Sequence, residues 1–166
     1  AYRITKKKEY LQIVESASQF LLNDLTILKD QPDELCLGYM PMPMTMRVMD
    51  VSILIGSVLS GLIHHGSIET RNNSTTKRLV TYIVNQQTTD GAWFYTDPPS
   101  DSHITHDNYH TGFILDALWR YMHRTGDHSF QDSYDKGLAF YAEKLFNQDG
   151  SPRWMHDTDF PHDIHG

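Results

Sequence analysis

The chain has 166 residues, of which 39% are hydrophobic and 21% are charged, and it contains one cysteine, Cys36. Its length allows one domain with a sizeable core, and a single cysteine excludes an intrachain disulfide or a cysteine-rich zinc cluster. Fourteen Lys and Arg residues against 21 Asp and Glu residues give a formal net charge of -7, which disfavours nucleic acid as a partner because phosphates select basic surfaces.

Helical periodicity dominates the first part of the chain. Apolar residues between Tyr10 and Leu21 fall on one stripe, which predicts an amphipathic helix over residues ~5–25. The prolines between Tyr39 and Met44 then predict an ordered loop. A second helix, over residues ~48–65, is apolar nearly all round and should be buried on several sides. Its apolar run is shorter than the ~20 residues of a membrane-spanning helix, so we predict no membrane partner. The single cysteine favours a reducing compartment, and we predict a cytoplasmic location.

The same alternation recurs in the second half, where strand patterns are almost absent. An amphipathic helix at ~74–87 ends in a turn with Asp90-Gly91, and a largely apolar helix follows at ~107–124. Another amphipathic helix, ~128–146, ends in a comparable turn with Asp149-Gly150. The regular recurrence of an amphipathic helix, an Asp-Gly turn and an apolar helix indicates an architecture built from structural repeats. We predict an all-α fold, an α/α toroid with the apolar helices inside and the amphipathic helices outside.

The starts of three inner helices share an aspartate. They are the pairs Met49-Asp50, His106-Asp107 and His162-Asp163. Because the inner helices of a toroid all begin at the same end, these side chains should surround one cavity. An aspartate at a helix start also caps free backbone amides and suits the positive end of the helix dipole. Capping alone is the alternative explanation, but it does not require the adjacent histidines.

Four segments of the sequence resemble a poorly characterised bacterial family of α/α-toroid proteins. They are DGAWFY, THDNYHTGFILDALWRYMHRTGD, LFNQDGSPRWMHDTDFPHDIHG and, more loosely, LCLGYMPMPMTMRVMDVSILIGSVLSG. The genes of that family accompany polysaccharide biosynthesis, and its members often carry the label delta-aminolevulinic acid dehydratase. A His-Asn pair is more usual in the family where this chain has Met49-Asp50. The sequence does not support dehydratase activity. That activity belongs to a TIM barrel with an active-site lysine pair, and this sequence shows neither the alternating strands nor such lysines.

The resemblance implies a carbohydrate-active protein, and similar toroids occur in unsaturated glucuronyl hydrolases, N-acylglucosamine epimerases and terpene cyclases. One fold hosts several chemistries, so fold alone does not settle function. A complete toroid of this kind has about six helical hairpins, and this chain supplies roughly two and a half. We therefore expect residues 1–166 to be the N-terminal part of a longer toroid. If the chain is complete, we expect it to close its ring by self-association.

Carboxylates gathered in one pocket can act as general acid, general base or nucleophile on a sugar. The predicted catalytic residues are Asp107, His110, Asp163 and Asp50. Aromatic and polar side chains near the helix starts are predicted to bind the substrate: Trp93, Tyr95, Asn108, His106, Trp154 and His165. Packing between hairpins is the alternative role for the tryptophans and Tyr95. The ligand would be a sugar or a polysaccharide intermediate.

The spacing of His106 and His110 resembles that of a zinc-binding pair on a helix. A catalytic zinc site needs a third ligand, and the pair lacks the glutamate of the HExxH motif. We therefore predict no metal and no cofactor. A divalent cation held by His110, Asp107 and His165 is the alternative. Two functions stay open from the sequence: a hydrolase- or epimerase-like enzyme of polysaccharide metabolism, and a non-catalytic carbohydrate-binding or assembly protein.

Overall fold

The structure is a computed structural model that describes residues 2–69 and 72–158. A one-turn helix and five longer helices occur among these residues: α1 (Tyr2–Thr5), α2 (Glu9–Asn23), α3 (Met49–His64), α4 (Asn73–Asn85), α5 (Asn108–Thr125) and α6 (Gln131–Lys144). The five longer helices begin and end within a few residues of the predicted bounds. Among the described residues, no helix has both the length and the apolar character needed to cross a bilayer.

Four short strands, which the sequence did not predict, connect the helices. They are β1 (Ile27–Asp30), β2 (Leu35–Leu37), β3 (Arg47–Val48) and β4 (Thr96–Asp97). β1 pairs antiparallel with β2, and β3 pairs antiparallel with β4. Strands of two to four residues are too short to show the alternation of apolar and polar residues that identifies a strand. The described residues are still mostly helical, as predicted.

The helices form two layers. Helix α3 packs against α4 and α5, and α5 packs against α6. Most residues of α3 are buried, as its apolar sequence predicts, whereas α4 and α6 each bury one stripe. Helix α2 buries Ser18 but leaves Ile13 and Phe20 of its predicted apolar stripe exposed. Helices α3 and α5 therefore form the inner layer, with the amphipathic helices outside them. This is the layered arrangement of an α/α toroid.

A polar network ties the outer helix α4 to the sheet beside the inner helices. The hydroxyl of Tyr82 on α4 donates a hydrogen bond to Asp97 Oδ2 at 3.0 Å. Arg47 Nη1 lies 3.1 Å from the same carboxylate oxygen, so strands β3 and β4 are joined by an ion pair as well as by backbone pairing. Burial raises the pKa of Tyr82, and nearby Cys36 and Asp97 raise it further. The Tyr82 phenol therefore keeps its proton and donates this hydrogen bond, which ties α4 to strand β4.

Gly91 and Gly150 occupy corresponding turns after α4 and α6 and provide a matched test of packing. Both have a positive φ, 95° and 84°, which costs a residue with a side chain about 1–2 kcal/mol. A Cβ at position 91 would lie 2.5 Å from the carbonyl oxygen of Lys136, whereas no atom of the described residues lies within 4 Å of a Cβ at position 150. We expect Gly150→Ala to lower the free energy of unfolding by about 1–2 kcal/mol, through backbone strain alone.

We expect Gly91→Ala to cost at least about 1 kcal/mol more, because α6 must also move away from the new methyl group. Urea unfolding of the two variants measures the difference. Equal losses of stability would show that the turn after α4 does not press against α6.

Candidate active site

Tyr95 joins the starts of the two inner helices. Its backbone oxygen accepts a hydrogen bond from the backbone N–H of Met49 at 2.9 Å. Its own backbone N–H donates to the carbonyl oxygen of Thr105, also at 2.9 Å. Met49 is the first residue of α3, and Thr105 lies just before α5. Helices α3 and α5 therefore begin at the same end of the fold, as the repeat predicts.

Asp107 and His110 form a close pair at the start of α5. Asp107 is the N-cap of the helix, and its Oδ1 accepts a hydrogen bond from the backbone N–H of His110 at 2.9 Å. The same oxygen lies 2.8 Å from Nδ1 of the His110 ring. The side chain of Asp107 is 4% exposed, and that of His110 is 25% exposed. A buried carboxylate thus caps the helix and orients a partly exposed imidazole.

The geometry of this pair fixes the tautomer of His110. An ionised carboxylate only accepts hydrogen bonds, so the ring nitrogen that faces Asp107 must donate. Nδ1 therefore carries the proton, and a neutral His110 ring has its lone pair on Nε2. The arrangement is that of a general base held by a carboxylate.

Asp50 lies close to this pair, although it does not occupy the predicted cap position. Helix α3 begins at Met49, its N-cap is Val48, and the side chain of Val48 makes no capping hydrogen bond. The Asp50 carboxyl instead binds its own backbone N–H. Asp50 therefore lies in the first turn, whereas Asp107 precedes its helix, which corrects the predicted equivalence of the two aspartates. Burial raises the pKa of the Asp50 carboxyl, a positive charge on His110 lowers it, and Asp107 raises it again. Asp50, Asp107 and His110 thus form one electrostatic cluster.

Two tyrosines flank the imidazole of His110. The ring centroid of Tyr95 lies 4.6 Å from that of His110, and the centroid of Tyr109 lies 5.4 Å from it, both edge to face. Burial raises the pKa of Tyr95, and the charges of Asp50, Tyr39 and Asp107 raise it further. Its phenol therefore stays protonated, as a hydrogen-bond donor must be, and its predicted contact with a substrate stays a prediction.

The sequence reasoning missed Tyr109 and Tyr39. Tyr109 is 37% exposed and precedes His110 on the helix, so its exposed position could have been read from the polar face of α5. Tyr39 lies in the proline-containing loop and acts on Tyr95 through space. No sequence pattern connects Tyr39 with Tyr95, since the two residues are more than fifty positions apart in the chain.

His106 is buried among aromatic rings and does not lie at a cavity rim. Its ring is 8% exposed, and its centroid lies 4.1 Å from Phe94, 4.7 Å from His156 and 5.6 Å from Phe140. Neither ring nitrogen has a hydrogen-bond partner within the part of the chain that the structure describes. Burial lowers the pKa of His106, and His156 lowers it further. The prediction that His106 contacts a substrate is thereby corrected.

Trp93 and Asn108 hold the hairpins together. Trp93 is 2% exposed, and its indole N–H donates a hydrogen bond to the carbonyl oxygen of Ile83 at 2.9 Å. Asn108 is 1% exposed; its amide donates to the carbonyl oxygen of Leu145 at 2.6 Å and accepts from the hydroxyl of Tyr141 at 2.9 Å. Both side chains serve packing, which corrects their prediction as substrate-binding residues.

The structure leaves three predicted site residues undecided: Trp154, Asp163 and His165. Trp154 is half-buried, and its carbonyl oxygen accepts a hydrogen bond from the backbone N–H of Asn108 at 3.0 Å. Its predicted contact with a sugar stays a prediction. Asp163 and His165 lie outside the described residues, and so does His162. Across residues 2–69 and 72–158, no three His, Cys, Asp or Glu side chains are grouped to hold a metal ion.

Comparison with known proteins identifies the fold. No family model matches the chain, and no curated protein matches it either. A solved cellobiose 2-epimerase from Bacillus thermoamylovorans B4167 superposes on 92% of this chain with a TM-score of 0.65 and 10% sequence identity. The fold is an incomplete α/α toroid.

At 10% identity, the similarity to the epimerase shows the fold alone. This chain spans 40% of the length of the epimerase. The fold class predicted from the sequence is confirmed, and the cluster of Asp50, Asp107 and His110 lies at the starts of the inner helices of this toroid.

Proposed function

We propose that this chain acts on a carbohydrate by acid/base catalysis, moving a proton on a sugar as an epimerase does. The observation that carries the proposal is the buried carboxylate of Asp107 bound to Nδ1 of His110. The structural similarity to a cellobiose 2-epimerase supports the choice of a sugar as substrate. The sequence resemblance to a family linked to polysaccharide biosynthesis supports it as well.

In the proposed reaction, His110 is the base. Its Nε2 removes the proton from the carbon next to the carbonyl group of an open-chain sugar, and the bonding electrons move toward the carbonyl oxygen. Tyr95, whose ring lies beside that of His110, donates a hydrogen bond from its hydroxyl to that oxygen. Asp107 stabilises the imidazolium that forms on His110. The product of this step is an enediol-like intermediate.

Asp50 is the acid that completes the reaction. Burial raises the pKa of its carboxyl, so Asp50 keeps its proton at a higher pH than an exposed aspartate does. Because Asp50 is 7% exposed, it passes that proton through an intervening water to the opposite face of the same carbon, and the configuration of the carbon is inverted. Exchange with solvent then returns a proton to Asp50 and removes one from His110. Because the pKa of Asp50 is raised, we predict that activity falls as the pH rises through that pKa and Asp50 loses its proton.

The burial of Asp107 favours proton transfer over hydrolysis. Glycoside hydrolases need two carboxyl groups that both face the scissile bond. The Asp107 side chain is 4% exposed and its Oδ1 binds the backbone N–H and the ring of His110. Within the described residues, Asp50 is then the remaining carboxyl of the cluster, which leaves a hydrolytic pair incomplete.

Deuterium exchange tests the proposal without knowledge of the exact sugar. The protein is incubated in D2O with a panel of reducing sugars that includes cellobiose, and proton NMR follows the hydrogen on the carbon next to the anomeric carbon. We expect protein-dependent loss of this signal for at least one sugar, together with the epimeric product. Binding of a sugar with no exchange would overturn the enzymatic proposal and favour a carbohydrate-binding protein.

A further inference from the structure

Residues 152–158 bind along the backbone that carries Asp107. The backbone N–H of Asn108 donates to the carbonyl oxygen of Trp154 at 3.0 Å, and the N–H of His156 donates to the carbonyl oxygen of His106 at 3.1 Å. Asp107 and Met155 form an antiparallel bridge between these two bonds. The 152–158 segment thus holds the backbone on both sides of Asp107.

We propose that the 152–158 segment is an acid-sensitive latch, which positions Asp107 while closed and opens when His106, whose ring lies against that of His156, is protonated. The inference goes beyond the proposed function and does not depend on it. It assigns a positioning role to His106, a residue that the proposed reaction does not use.

The surroundings of His106 disfavour a charged ring in the closed latch. Its imidazole lies between Phe94, Phe140 and the imidazole of His156. Within the described residues, neither ring nitrogen of His106 has a hydrogen-bond partner. Nδ1 of His156 has no hydrogen bond either, but it lies 3.9 Å from Asp157 Oδ1 on the latch itself. A second proton on His106 would place a buried cation with no acceptor next to another imidazole. Separation of the 152–158 segment from α5 relieves this cost by exposing the ring to water.

The charged groups around His106 act in opposite directions. Burial and His156 lower its pKa, whereas Asp90 on the turn after α4, Asp157 on the latch and Asp107 on α5 raise it. Burial is the largest of these effects, and the pKa of the closed state lies below the ordinary value of 6.5. The closed latch therefore has its full stability above pH 6.5. That stability is lost as the pH falls below 6.5, since the open state binds the proton more readily.

Hydrogen exchange of backbone amides measures the opening directly. The amides of Asn108 and His156 donate the two bonds of the latch, and the amide of Leu118 in the middle of α5 serves as an internal reference. Between pH 7.5 and pH 5.5, we expect the protection factors of the two latch amides to fall by up to about tenfold, because an open-state pKa near 6.5 sets the limit. The protection factor of Leu118, corrected for its intrinsic rate, should change little.

Two variants separate the latch from general acid sensitivity. His106→Phe keeps an aromatic ring between Phe94 and Phe140 but cannot be protonated, so the selective loss at pH 5.5 should disappear. His103→Phe changes an exposed histidine three residues earlier and should leave the loss unchanged. A selective loss that persists in His106→Phe would overturn the proposal, and so would a parallel loss at Leu118 in the unaltered chain.

A second measurement needs no variant. In the unaltered chain, 15N NMR of the histidine rings at pH 6 should find the His106 ring neutral while both latch amides remain protected. A protonated His106 ring in a chain with full protection at Asn108 and His156 would overturn the latch. Neither measurement uses a sugar, so failure of the latch and failure of the proposed function are distinguished.

Discussion

Replacement of Asp107 by asparagine is expected to lower the rate of sugar proton exchange by about 10²–10⁴-fold, the range of positioned acid/base catalysis. An asparagine still caps α5, because its side-chain oxygen accepts from the backbone N–H of His110 as Asp107 does. It no longer stabilises a positive His110 ring, and because its oxygen is uncharged it selects the tautomer with the proton on Nδ1 less strongly. The loss should therefore be in turnover and not in folding, as measured by the deuterium exchange rate and by urea unfolding.

A neighbouring carboxylate provides the control for Asp107→Asn. Asp116 lies on the same helix, pairs with Arg120 at 2.7 Å and has a side chain that is 53% exposed. Asp116→Asn should leave the exchange rate unchanged. Because Asp107 and His110 act as a unit, the double variant Asp107→Asn/His110→Gln should be no slower than His110→Gln alone. Fully additive losses would contradict the coupling of the two residues.

Trp93→Ala is expected to lower the free energy of unfolding by about 3–5 kcal/mol, the usual cost of removing a large aromatic side chain from a core. Trp93 is 2% exposed, and its ring fills the space beside Gly137, where a Cβ would lie 2.5 Å from the indole. The variant also removes the donor to the carbonyl oxygen of Ile83. Since whole domains are stable by about 5–15 kcal/mol, this is a large share of the total.

Trp154 provides the control for this experiment, because it is only half-buried. Trp154→Ala should cost clearly less stability than Trp93→Ala in the same urea titration. A Trp93→Ala variant that keeps its stability but binds sugar more weakly would contradict the packing role. It would instead restore the prediction that Trp93 stacks on a sugar.

The layers of the fold could be predicted from the sequence because helical periodicity is a local property. The nearly all-apolar sequence of α3 and the single stripes of α4 and α6 indicate which helices lie inside and which outside. The repeat then predicts that α3 and α5 begin at the same end, which the bonds of Tyr95 to Met49 and Thr105 confirm. The proximity of Asp50 to Asp107 and His110 follows from that arrangement.

Side-chain direction at the helix starts could not be predicted with the same accuracy. Asp107 has an extended backbone, with φ -97° and ψ 158°, and neighbouring side chains on an extended backbone point to opposite sides. With Asp107 turned toward His110, His106 is directed into the rings of Phe94 and Phe140. A pattern that treats His106-Asp107 as one functional pair cannot distinguish these two directions.

The roles of Asn108 and Trp93 depended on distant partners. Asn108 binds the carbonyl oxygen of Leu145 at the end of α6, and Trp93 binds that of Ile83 on α4. Both partners are backbone atoms, and a backbone carbonyl has no residue type that a sequence motif could reveal. Polar and aromatic residues near a site therefore look alike in the sequence, whether they contact a ligand or close the hairpins.

The account depends most on the statement that Asp107 holds the proton of His110 on Nδ1 and leaves the lone pair of the neutral ring on Nε2. 15N NMR of the His110 ring in the unaltered chain measures this directly. For the neutral ring we predict a protonated Nδ1 and an unprotonated Nε2, with the preference weakened in Asp107→Asn. A neutral His110 ring with its proton on Nε2 would contradict the account.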